Sequence, residues 1–99
     1  MPLDRVDETY EAKMAEFEAE CNGGKGDAQA CHNVAEFYTV VKDNFEKAAK
    51  VYSANCSDKK YMPSCFSLGR FHLAGKGVEQ NDEKALELFG KYAYIYFVL

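Results

Sequence analysis

Two cysteine pairs recur along this chain at the interval of a repeat. Cys21 and Cys31 are followed by Cys56 and Cys65, at steps of 35 and 34 residues. A period of this length marks a stack of helical hairpins, none of which buries its apolar face alone. Cysteines in register with the period suggest a disulfide at each junction, Cys21–Cys31 and Cys56–Cys65. The expected fold is all-α: an α-solenoid of about two and a half helix-turn-helix repeats, stapled by disulfides.

At 99 residues, 47% of them apolar, the chain is long and apolar enough for one domain with a core. The net charge of −4 argues against nucleic acid, whose phosphates call for clustered Lys and Arg. The one adjacent basic pair, Lys59-Lys60, reads as a solvated loop. No apolar run approaches the roughly 20 residues that span a bilayer. The N-terminal stretch is acidic and amphipathic, unlike a secretory signal or an Arg-rich matrix presequence. Four cysteines without such a segment leave two options. Either the thiols stay free in the cytosol, or the protein reaches an oxidising compartment by another route.

Residues 4–21 read as a first helix, with Val6, Tyr10, Met14 and Phe17 on one face. The glycines of Asn22-Gly23-Gly24-Lys25-Gly26 end it. Asp27 can cap a second helix over 28–40, whose apolar stripe is Val34, Phe37, Tyr38 and Val41. Asn44 caps a third, running to about Asn55, with Phe45, Ala48, Ala49 and Tyr52 inward. Ser57-Asp58-Lys59-Lys60 is then the connecting turn. Pro63 suits the first turn of a fourth helix that ends at Gly75-Lys76-Gly77. Asn81 or Asp82 starts a fifth, with Ala85, Leu88 and Phe89 inward.

The two units overlay directly. Cys31-His32-Asn33-Val34-Ala35 matches Cys65-Phe66-Ser67-Leu68-Gly69, and Asn44-Phe45-Glu46-Lys47-Ala48 matches Asn81-Asp82-Glu83-Lys84-Ala85. Small residues at Ala35, Gly69, Ala48 and Ala85 let paired helices approach closely. The division expected is a repeat domain over 1–91, with its helix 4–21, repeat one 28–56 and repeat two 63–91. Residues 92–99 form an atypical apolar end.

Leu68-Gly69, Gly75-Lys76-Gly77-Val78 and Asp82-Glu83-Lys84-Ala85 resemble the Sel1-like repeat, in which a small-residue helix, a glycine loop and a second helix follow one another. The unit over 31–56 matches more loosely and lacks the glycine loop. The paired cysteines narrow the resemblance to the cysteine-rich branch. Within it, Phe17-Glu18-Ala19-Glu20-Cys21, Asn44 to Val51 and Asn55-Cys56 are similar to the N-terminal part of a mitochondrial assembly factor for cytochrome c oxidase. The likeness covers about residues 15–91. It implies a non-enzymatic binding protein of the intermembrane space, with partners among respiratory-complex subunits or assembly factors. It also implies cysteines oxidised by the import machinery, no cofactor and no membrane span. Stacked first helices of each hairpin would form a concave surface, where Asn33, Glu36, Ser67 and Arg70 meet the partner. Two departures stand out. The period places the next cysteine at 93, where the chain has Ala93, and Tyr92 to Leu99 follows no repeat pattern. That end reads as a truncated or alternative product that extends the fifth helix or pairs with another chain. The second departure is His72, in place of an aromatic residue.

Other chemistry is weakly supported. Zinc sites favour C-x₂₋₄-C and redox sites C-x-x-C, and neither occurs, so structural disulfides or free thiols remain. Spacings of nine and eight intervening residues fit a bond reaching the helix after next across a turn. His32 is expected half exposed beside a helix start, and His72 as a core histidine with one hydrogen-bond partner. Ser57-Asp58-Lys59-Lys60 satisfies S-x-x-K, the nucleophile signature of penicillin-binding folds. A β-lactam-binding hydrolase is therefore one rival reading, although S-D-N and K-T-G are missing. A cytosolic protein–protein interaction scaffold with reduced thiols is the other.

Overall fold

A computed structural model describes the backbone of residues 3–98 and the side chains of residues 9–90. The described residues form α1 (Leu3–Cys21), a 3₁₀ turn (Asn22–Gly24), α2 (Ala28–Val40), α3 (Phe45–Lys59), α4 (Met62–Ala74) and α5 (Asp82–Val98), with no strand. Each helix packs on the one that follows it in sequence. This neighbour-on-neighbour order defines a solenoid.

Local chemistry sets most of the helix ends. Asp27 accepts from the Ala30 N–H at 2.9 Å, Asn44 from Lys47 at 3.1 Å and Asn81 from Lys84 at 2.9 Å. Each side chain satisfies a backbone donor that has no partner inside its helix. After α1 the chain turns tightly. The Gly26 and Asp27 N–H groups donate to the carbonyls of Cys21 and Glu20 at 2.8 and 2.9 Å. A Cβ at Gly26 would collide with the Glu20 carbonyl, so only glycine fits the turn.

One helix runs longer than its sequence suggests. α3 continues through Ser57, Asp58 and Lys59, so these residues form a last helical turn and not a connecting loop. Nothing between Asn55 and Lys59 breaks a helix. The stop comes at Lys60, in the left-handed region at φ 55, whose N–H closes onto the carbonyls of Asn55 and Cys56. Pro63 then falls in the first turn of α4, and Gly75 ends that helix at φ 67.

The core follows the expected stripes. Met14, Cys21, Cys31, Val34 and Phe37 are buried between α1 and α2, while Ala35, Ala48, Ala49, Tyr52 and Leu68 are buried around α3. Ala35, Ala48 and Ala85 are fully buried at 0% exposure, where larger side chains would force the helices apart. A Cβ at Gly69 would lie 2.7 Å from the Phe89 ring, so α4 and α5 meet there at the closest approach glycine allows. The backbone of α5 passes residue 91 unbroken and carries the aromatic tail as helix to Val98. The side chains of Val6 and of the tail, with the capping and pairing roles read for it, lie outside the described residues.

Candidate partner-binding cleft

The cysteine pairs come first, because they fix how the units meet. Cys21 ends α1 and Cys31 lies in the first turn of α2; their bonded pair has Cα atoms 4.7 Å apart. Cys56 and Cys65 join the last turn of α3 to the first turn of α4 at 4.8 Å. Each bond therefore links consecutive helices and not the helix after next. The reason is the packing order, which makes sequence neighbours the spatial neighbours. No cysteine among the described residues is free. The hairpin turns α2–α3 and α4–α5 carry no such bond.

Glu36, Ser67 and Arg70 come together along one cleft of about 440 Å³ between α2 and α4. Its floor is Tyr52, 3% exposed, and Thr39 and Ser67 line the same cleft beside it. Burial pushes the Tyr52 phenol up from its ordinary pKa, so the hydroxyl stays neutral. Phe45 and Phe71 meet edge to face at 5.9 Å along one wall. Asn33 lies in a second cleft of about 380 Å³, with Tyr10, Met14, Phe17, Phe37 and Val41. Glu36 and Val40 line both clefts, so the two adjoin across the α2 ridge, and the pair is termed the groove. Sequence reading missed Tyr52, Val40 and Lys76 as parts of this surface. Tyr52 occupied an apolar stripe indistinguishable from core, and Lys76 stood in a glycine loop.

The histidines differ from expectation. His32 is not half exposed: its side chain keeps 13% exposure and lies between the Tyr52 and Tyr61 rings, at 5.3 and 5.6 Å. Asn55 Nδ2 donates to Ser64 Oγ at 2.9 Å and to the Ala28 carbonyl at 2.9 Å. The Ser64 hydroxyl proton is then free to donate to His32 Nδ1, also at 2.9 Å. This order assigns the neutral tautomer, with the Nε2 proton facing Glu36 at 3.9 Å. Burial lowers the His32 pKa from its ordinary value, and Glu36 partly opposes the shift. His72 does have one partner, the Glu79 carbonyl at 3.2 Å, but it sits at the partly exposed end of α4 and not in the core.

The S-x-x-K residues do not assemble a nucleophile and base. The exposed Ser57 hydroxyl donates to Asp58 at 3.2 Å, and the Lys60 ammonium donates to the Ser57 backbone carbonyl at 3.0 Å. Neither residue lines the groove. Among the described residues no group of three His, Cys, Asp or Glu could hold a metal ion. None of the described helices is long and apolar enough to cross a membrane.

These features define a helical-repeat protein with a disulfide at each junction between units. Among curated proteins, the chain is similar to cytochrome c oxidase assembly factor 7. It is 30% identical to the human protein over 82 residues, covering 80% of this chain and 36% of that one. It is 34% identical to the Drosophila melanogaster homolog over 89 residues, covering 87% of this chain and 33% of the homolog. The Danio rerio protein is 37% identical over 62 residues, 63% of this chain and 27% of that protein. The likeness to oxidase assembly factors expected from the sequence is thus found, and the chain spans about a third of the length of these relatives. No family model matches the chain.

Proposed function

We propose that this chain is a recognition module that acts in cytochrome c oxidase assembly, binding a subunit or a fellow assembly factor without chemistry of its own. The observation that carries the reading is the similarity to proteins of that name over 80% and 87% of the chain. The groove across α2 supports it, since Glu36, Ser67 and Arg70 face one surface and Asn33 the adjoining one. The paired cysteines favour an oxidising compartment over the cytosol, because glutathione keeps cytosolic thiols reduced. The mitochondrial intermembrane space, with oxidation by its import machinery, fits both features.

The test is import of the labelled chain into isolated mitochondria, followed by alkylation and cross-linking. We expect a protease-protected chain with no alkylatable thiol, cross-linked to a cytochrome c oxidase subunit or assembly intermediate identified by antibody. A chain that stays reduced, or cross-links to no oxidase component, overturns the reading.

A further inference from the structure

The groove has an uneven charge. On its rim stand one carboxylate, Glu36, and two cations, Arg70 and Lys76. Among the described residues the Arg70 guanidinium makes no hydrogen bond or ion pair. The Lys76 ammonium lies 4.7 Å over the Phe45 ring and has no carboxylate partner there. Among the described residues, the ion-pair contact of Glu36 is with the neutral His32 imidazole, at 3.9 Å. This part of an otherwise acidic chain is locally cationic, with a planar donor fork suited to a carboxylate.

The other end of the groove is apolar. Val40 stands on the ridge shared by both clefts and is 78% exposed, while Tyr10, stacked 6.3 Å from Phe37, is 46% exposed. Exposed apolar side chains contiguous with a cleft mark a contact surface. An occupant that satisfies both ends must be apolar on one side and acidic on the other.

We infer that the groove docks an acidic amphipathic segment of a partner protein. Apolar side chains cover Val40 and the α1–α2 cleft, and a carboxylate sits between Arg70 and Lys76. The inference rests on the recognition reading above and names the chemistry of the segment recognised.

The test uses the oxidised full chain and fluorescein-labelled, acetylated peptides of Phe-Leu, alanine spacers of graded length, then Asp-Asp. Control peptides carry Asn-Asn or Lys-Lys in place of the acids, and anisotropy reads binding. Arg70→Gln and Lys76→Gln are each expected to weaken the Asp-Asp peptide by about fivefold, the scale of one exposed ion pair, with the loss shrinking at high salt. Neither should change the binding of the Asn-Asn peptide. Val40→Asp should weaken both peptides, since it removes apolar cover. All three positions are exposed, and unchanged thermal midpoints would show that the variants fold. Equal binding of acidic, amide and lysine peptides, no binding by any, or indifference to Arg70→Gln overturns the inference. If it fails while cross-links to oxidase components persist, only the groove assignment falls. If the cross-links are absent as well, the recognition reading falls with it.

Discussion

Ser64 Oγ lies 2.9 Å from His32 Nδ1, and this bond ties α4 to α2 through a site that α3 closes with Asn55. Ser64 is 0% exposed, so the polar atoms it serves have no solvent to fall back on. Ser64→Ala removes one partner each from His32 and Asn55 and leaves their polar atoms buried. We expect a loss of about 1–3 kcal/mol, measured by urea unfolding at neutral pH. An unchanged midpoint would show that the network carries no stability.

The same histidine makes stability depend on pH. Burial lowers the His32 pKa from 6.5, so the unfolded chain takes up the proton more readily than the folded one. Its contribution is complete above the unfolded value and is lost as pH falls below about 6.5 and through the lower folded value. Glu36, the carboxylate facing the ring, limits the size of the loss. Unfolding midpoints for the native chain and for His32→Gln, taken at intervals from neutral to mildly acid pH, should diverge least at the acid end. Parallel curves would contradict this.

Gly69 against Phe89 gives a packing test. The added methyl of Gly69→Ala would meet the ring edge at 2.7 Å and push α5 or its ring away. Overpacking of this kind costs about 1–3 kcal/mol. Phe89→Leu made together with Gly69→Ala should recover part of the loss, because the ring is what the methyl strikes. A double variant no better than the sum of the single changes would show that α4 and α5 separate for another reason.

Each disulfide closes a short span, 10 residues for Cys21–Cys31 and 9 for Cys56–Cys65. Chain entropy gives each about 2–3 kcal/mol, with strain left out. Replacing either pair by serines should lower the thermal midpoint under non-reducing conditions. Adding reductant should then lower the native chain further than it lowers either double-serine variant. Equal sensitivity of all three chains would remove the disulfides as the cause.

Much of the fold was legible because its signals are local. Asp27, Asn44 and Asn81 mark helix starts by side-chain bonds within three residues, and Gly75 marks a stop by its backbone. The end of α3 was not legible, because Lys60 stops the helix only through bonds to the buried Asn55–Cys56 stretch. Stacking the first helices of the hairpins was enough to place Glu36, Ser67 and Arg70 along one cleft, whereas Asn33, expected beside them, lines the adjoining one. The Asn55–Ser64–His32 network draws one residue from each of three helices, and no spacing along the chain announces such a meeting. Tyr52 was read as ordinary core because its ring is buried, although its hydroxyl reaches the cleft floor.

Neighbour-on-neighbour packing also decides which thiols can find each other. The partner of every cysteine is the nearest one across a single interhelical turn, whereas the rival pairing Cys31–Cys56 spans a whole hairpin and 25 residues. Short loops close with the smaller entropy cost, so the correct bond is also the statistically favoured encounter. A chain that emerges end first through a narrow opening can therefore lock each junction once two consecutive helices are clear. It can do so before the rest has passed and without a later exchange of partners.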